Sequence, residues 1–153
     1  MPKVARRRRI AAPVRDVWEV VSDPYHLPRW WPRTTRVENV SGAGTPGTVW
    51  TQVLETKDGR GVRADFRCLS SDVNERFSFE QLLDGTPFER VLRASKTEVR
   101  LEPGTEGTRV TLAQEQKLRG LSRFGAPLMR RASGRILDDA LAGLDEALGG
   151  EGA

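Results

Sequence analysis

The stretch that most limits what this 153-residue chain can fold into is its last one, Leu121 to Leu148. Apolar or small side chains recur at Met129, Ser133, Ile136, Leu137, Ala140, Leu144 and Leu148, the 3.6-residue stripe of a half-buried helix. Arg131, Arg135, Asp138, Asp145 and Glu146 fall on the opposite side. Pro127 suits a first turn, where no amide hydrogen is needed, so the helix proper is expected from near Ala126, with Leu121–Gly125 a looser lead-in. Gly149 and Gly150 stop it. Burying each large apolar side chain stabilises by roughly 1.5–3 kcal/mol, while ordering each residue costs about 1–2 kcal/mol in backbone entropy. The stripe must therefore lie on a large apolar surface supplied by the preceding chain.

That chain reads mainly as strands. Val4–Ile10 is the first. If Ile10 points inward, alternation puts Val4, Arg6 and Arg8 on the same face, where an inward arginine needs a partner or water. The plainer expectation is a frayed end with Arg6–Arg9 as a solvated basic run. Pro13–Ser22 is a short helix with Val14, Val17, Trp18 and Val21 on one side. Asp23-Pro24 caps a second short helix ending around Trp31-Pro32, kept short by Pro28. Strands are then expected at Arg36–Val40, Thr48–Thr56, Gly61–Leu69, Arg76–Leu83, Phe88–Glu102 and Thr108–Leu118, separated by turns at Gly42–Gly47, Lys57-Asp58-Gly59, Ser71–Asn74, Asp84–Pro87 and Pro103–Gly107. Gly61–Leu69 alternates cleanly, with Val62, Ala64, Phe66 and Cys68 one way. The apolar parity of Phe88–Glu102 shifts near Ser95–Thr97, which implies a bulge or bend. Hairpin connections make the sheet antiparallel. One long helix covers its inner side, an α+β architecture of one domain over residues 1–150.

Composition narrows the function classes. Lys and Arg number 25 against 21 Asp and Glu, a net charge of +4 with the signs interspersed. A nucleic-acid surface would rest only on Arg6–Arg9 and the helix rim, and is not expected. The single cysteine, Cys68, excludes an internal disulfide and a cysteine-based metal site. No apolar run reaches the roughly 18 residues of a membrane span, so membrane insertion is not expected. Arg6–Arg9 is followed by no apolar segment of a secretory signal, so a cytoplasmic protein is expected. His26 is the only histidine and lies in the short helical region among Pro24, Tyr25 and Leu27, which favours a structural or exposed role over a catalytic triad. No histidine–carboxylate cluster suggests a metal, and no glycine-rich loop a phosphate; no cofactor is expected.

Several local motifs together resemble one superfamily. They are Ile10-x-Ala12-Pro13-x-x-x-Val17-Trp18, Ser22-Asp23-Pro24, Leu27-Pro28-x-Trp30 and the late strand Gly107-Thr108-x-Val110-Thr111. The chain, from about Val4 to Leu148, resembles the START/Bet v 1-like proteins and within them the polyketide cyclase/dehydrase-like, or SRPBCC, branch. The resemblance implies a helix-grip fold, in which a seven-stranded antiparallel sheet curls around the C-terminal helix, and a pocket between them for lipids, polyketides or other apolar ligands. An apolar void costs on the order of 24 cal/mol per Å³, so a void of about 300 Å³ would cost about 7 kcal/mol, comparable to the ~5–15 kcal/mol stability of a domain. Such a pocket must be occupied, wet and partly polar, or collapsed.

The candidate ligand-binding residues follow from that geometry. Trp30 is either a packing anchor of the second helix or a pocket wall, with Trp31 nearer the surface. Trp50 shares parity with Gln52 and Leu54 against Val49, Thr51 and Val53, and neither side is clearly inward. Phe66, Phe79 and Phe88 are core or cavity walls. Phe124 and Met129 lie at the start of the long helix, which in the superfamily borders the entrance. Gln114 and Gln116 share the face of Val110 and Leu112; either they mark a wet part of the cavity or the strand has run into solvent there. The long helix carries Arg123, Arg130, Arg131 and Arg135 in its first half and Asp138, Asp139, Asp145 and Glu146 in its second, the reverse of what its dipole prefers. With Arg119 this makes a basic rim or a plain solvated face. The expected function is binding of a small apolar or amphipathic molecule. The alternative is an aromatase/cyclase- or dehydrase-type enzyme, for which no acid–base pair can be named. A homodimer is left open.

Overall fold

A computed structural model describes residues 3–56, 58–120 and 125–149. Strand β1 (Lys3–Ile10) is followed by helix α1 (Val14–Val21), a 3-10 turn (Pro24–His26) and the single-turn helix α2 (Leu27–Trp30). Then come β2 (Thr34–Ser41), β3 (Val49–Glu55), β4 (Gly61–Asp72), β5 (Arg76–Leu82), a 3-10 turn (Pro87–Arg90), β6 (Leu92–Gly104), β7 (Gly107–Leu118) and the long helix α3 (Ala126–Ala147). The seven strands form one open antiparallel sheet in the order β1-β7-β6-β5-β4-β3-β2. Every neighbouring pair except β1–β7 is consecutive in sequence, and α3 rests against β1, β7 and α2. This is the α+β helix-grip arrangement expected from the order of elements.

Alternation decides which face is which. Trp50, Cys68, Phe77, Phe79, Val99, Leu101, Val110 and Leu112 are all buried on the inner face, and with Leu137, Ala140 and Leu144 of α3 they form the main core; Ala64 is buried on the same face. Two close approaches depend on glycine. A Cβ on Gly143 of α3 would lie 2.5 Å from the Trp30 carbonyl oxygen, so its absence lets α2 dock on the helix. Gly107 opens β7 at φ +133°, and a Cβ there would lie 2.1 Å from the Ile10 carbonyl oxygen.

Several expectations are revised. The first segment is not frayed: β1 pairs with β7 from Lys3↔Glu115 to Ile10↔Thr108. Its inward-parity arginines find carboxylates on α3, Arg8 at 2.6 Å from Asp145 and Arg6 at 3.5 Å from Asp138. Asp138 and Asp145 of the acidic half of α3 are thus explained by the edge strand beside them. Phe88–Glu102 is not one strand, because Pro87 opens a 3-10 turn at Pro87–Arg90, and the strand starts only at Leu92. The parity shift is real but lies between Leu92 and Ala94 rather than at Ser95–Thr97. Trp31 is partly buried, nearer the surface than Trp30 as expected, yet it packs edge-on against Trp30 (5.4 Å between ring centroids) and Phe79 (6.2 Å).

Candidate functional site

Along β6 and β7 the inner face changes character twice. Leu101, Val99, Val110 and Leu112 belong to the main core. The next inward positions are Thr97 and Ser95 on β6 and Gln114 and Gln116 on β7. Beyond the β6 irregularity the face turns apolar again at the Leu92↔Leu118 pair. There Leu83, Leu92 and Leu118 form a second, smaller cluster with Phe88, Ala126 and Met129. A polar belt thus separates two apolar regions.

The belt is knitted by hydrogen bonds. Gln114 Nε2 donates to Thr97 Oγ1 at 3.3 Å, and Gln116 Nε2 donates to Ser95 Oγ at 3.2 Å. Ser133 Oγ of α3 donates to Gln116 Oε1 at 3.4 Å, tying the helix to the belt. Ser95, Thr97 and Ser133 are buried; the two glutamines are only half-buried. Each primary amide can donate twice and accept twice. Gln114 Oε1 has no protein partner among the described residues. Phe66 and Gln81, paired across β4 and β5, also face inward and remain half-buried. Inward side chains that keep some exposure are ones that α3 does not seal.

An aromatic cluster borders the belt. Trp50 is 1% exposed; its ring stacks on Phe66 with centroids 6.0 Å apart and meets Phe79 edge-on at 5.5 Å. Trp50 therefore faces inward with Gln52, which settles its parity. Trp50 Nε1 donates to Gln52 Oε1 at 3.1 Å, and Gln52 Nε2 donates to Thr34 Oγ1 at 3.2 Å, so this buried amide is held at both ends. Trp30, 3% exposed, anchors α2 between the sheet and α3, and its indole N–H is buried with no acceptor among the described residues. A donor so placed costs about 1–3 kcal/mol unless something else satisfies it.

The candidate residues therefore divide. Trp50, Phe66 and Phe79 lie together, and Gln114 faces inward one strand pair away from Phe79 through Thr97. Phe88 and Met129 belong to the smaller cluster at the end of the sheet. Phe124 lies outside the described residues. Gln81, Ser95, Thr97 and Ser133 were not picked out by sequence reasoning as site residues. Strand parity with Val99 and Phe79 would have identified the first three.

Titratable chemistry is sparse on this face. Of the inward positions of β3 to β7 named above, only Cys68 ionises. It is 2% exposed, its thiol donates to the Ser70 carbonyl oxygen at 3.4 Å, and burial pushes its pKa up to about 11. His26 is occupied elsewhere, its Nδ1 lying 3.1 Å from the Glu19 carbonyl oxygen. Among the described residues no three His, Cys, Asp or Glu side chains cluster as metal ligands, and no helix is long and apolar enough to cross a membrane.

A seven-stranded antiparallel sheet gripping one long C-terminal helix, with two short helices after the first strand, defines the START-like helix-grip class. Within it, the chain belongs to the family described as polyketide cyclase / dehydrase and lipid transport, whose model matches residues 1–149. Solved structures agree in fold. TTHA0849 from Thermus thermophilus superposes with a TM-score of 0.77 at 22% identity, over 99% of this chain and 100% of that one. A START superfamily protein from Mycobacterium smegmatis gives 0.76 at 15% identity, over 95% of this chain and 96% of the other. The di-domain ARO/CYC StfQ of the steffimycin biosynthetic pathway gives 0.78 at 12% identity; 99% of this chain matches 51% of StfQ. No curated protein matches the sequence.

Proposed function

We propose that this chain is a single START-like domain that binds a small hydrophobic or amphipathic molecule, a lipid, polyketide or similar compound, between the inner face of the sheet and α3. One observation carries the reading: a hydrogen-bonded polar belt of half-buried amides and buried hydroxyls, between two apolar clusters and beside stacked aromatics. Purely apolar packing would be more stable without it, because buried polar groups must be matched one by one. A ligand with an apolar body and a few carbonyl or hydroxyl groups matches the set. Half-buried Phe66 would contact its body, backed by the buried rings of Trp50 and Phe79, and Gln114 and Gln116 would meet its oxygens. Phe88 and Met129 would lie toward the entrance.

The experiment is extraction of the purified protein with mass spectrometry of whatever co-purifies, followed by titration monitored by tryptophan fluorescence. A hydroxylated anthraquinone and a long-chain fatty acid serve as probes. Gln116→Leu is expected to weaken the anthraquinone by roughly tenfold, one hydrogen bond's worth, and to leave the fatty acid nearly unchanged. Absence of any extracted compound together with no fluorescence response to either probe would refute the proposal.

The likeness to StfQ favours a second reading, in which the domain holds a reactive polyketone chain for aldol closure. Binding energy spent on orientation can accelerate such a step without an acid–base pair. The belt amides would then position carbonyls rather than transfer protons. Ring formation from a linear polyketone faster in the presence of the protein than in buffer would support it; equal rates would exclude it.

A further inference from the structure

We propose that the end of the molecule where α3 begins, over the tips of β5, β6 and β7, is a docking surface for an anionic lipid bilayer. Ala126 and Met129 of α3 pack there on Leu83, Leu92 and Leu118. Around this small cluster stand Arg90, Arg93, Lys117, Arg119, Arg130 and Arg131, each a near neighbour in sequence of one of its members and each exposed. None of the six makes an ion pair or a side-chain hydrogen bond with a described residue. The acidic neighbours are Asp84, Glu89 and, two residues before Lys117 on the outer parity of β7, Glu115; the Glu89 carboxylate already accepts from the Gly85 amide at 3.3 Å.

The outer face of the sheet is arranged differently. There Arg36 and Arg63 both pair with Glu38, Arg67 with Glu80, and Arg76 and Arg100 with Glu98. The chain thus has carboxylates to neutralise arginines and places few at this end. The first turn of α3, where an acidic side chain would be favoured by the helix dipole, holds none.

Two apolar side chains project among the cations: Leu128, 71% exposed, and Val91, 42% exposed. Unpaired cations around protruding aliphatic residues fit a bilayer interface. The headgroups meet the guanidinium groups, and the leucine enters the boundary with the acyl chains. An acidic protein would meet the charge equally well but would need a pocket shaped for Leu128, whereas a fluid acyl layer accepts it anywhere. The surface does not depend on what the interior holds, so this inference and the ligand-binding reading stand or fall separately.

Co-sedimentation with vesicles tests it. Vesicles of phosphatidylcholine alone should leave the protein in solution, and vesicles with added phosphatidylglycerol should bring it down at low ionic strength and release it as salt is raised. Arg130→Glu with Arg131→Glu should lower the partition at least about tenfold, since each cation near such a surface is worth about 1 kcal/mol. Leu128→Ser should lower it several-fold. Arg109→Glu, a change to an exposed cation at the opposite end of β7, should leave it as it was, with circular dichroism confirming that all variants fold. No sedimentation with the anionic vesicles would overturn the proposal. So would a charge-reversed pair that binds like the native chain, a loss with Arg109→Glu as large as with that pair, or retention on an immobilised acidic protein without vesicle binding.

Discussion

Two glutamines on the same inner face carry different tasks. Gln52 is 2% exposed and fixed by Trp50 and Thr34. Gln116 is half-buried and shared between Ser95 and Ser133. Gln52→Leu strands an indole N–H and a hydroxyl in the core and is expected to cost about 1–3 kcal/mol. Gln116→Leu also takes a partner from the buried Ser95 and Ser133 hydroxyls but removes an amide that is itself only half-buried, so it should cost less than Gln52→Leu, measured by urea denaturation of both variants. Cys68 gives a second residue-level prediction. Its pKa rises from 9.0 to about 11 because burial disfavours the thiolate. The folded chain therefore holds this proton more tightly than the unfolded one. The associated stability is complete below pH 9 and is lost as pH rises toward about 11. Subtracting the pH profile of Cys68→Ala from that of the native chain isolates the effect. A thiol-alkylating reagent at neutral pH should label the folded protein only slowly.

At the level of elements, β1 and α3 hold one another through charge as well as packing. Arg8 is 45% exposed at its side chain and Asp145 14%, so their 2.6 Å contact is only partly screened. A double-mutant cycle with Arg8→Ala and Asp145→Asn should return a coupling of about 0.5–1 kcal/mol, shrinking as salt is added. The elements themselves were largely legible in the sequence. Gly61–Leu69 and Thr108–Leu118 alternate with the strand period, and the spacing of Leu137, Ala140 and Leu144 is helical. Legibility failed where a neighbour remote in sequence decides the outcome. Nothing local says that Arg6 and Arg8 will meet Asp138 and Asp145, so both the arginine run and the reversed charge order of α3 looked anomalous taken singly. Pro87 marked a break that the strand reading overran, because Phe88, Leu92 and Ala94 mimic alternation across it.

Over the whole molecule, the main core, the polar belt and the small cluster follow one another along the sheet. The family pattern and the inward parity of Gln114 and Gln116 pointed to the belt's β7 half. Its β6 half, Ser95 and Thr97, was hidden because small hydroxylated residues read equally well as a bend. Ser133 looked merely like a small residue on the helix stripe. A site assembled from single residues on separate strands leaves no contiguous motif, and only register joins them. Register has another consequence. The first strand has a single partner in the sheet, and that partner is the last strand. On the ribosome the amino-terminal segment has no β neighbour until its partner, which begins opposite Ile10 at Thr108, has been made. Consecutive hairpins can form as they emerge, but closure waits for the far end of the chain, and the loop to be closed is long. Until then the unpaired edge of the opening segment stays available to other chains, and its four arginines in succession, Arg6 to Arg9, are the kind of charge that discourages such pairing.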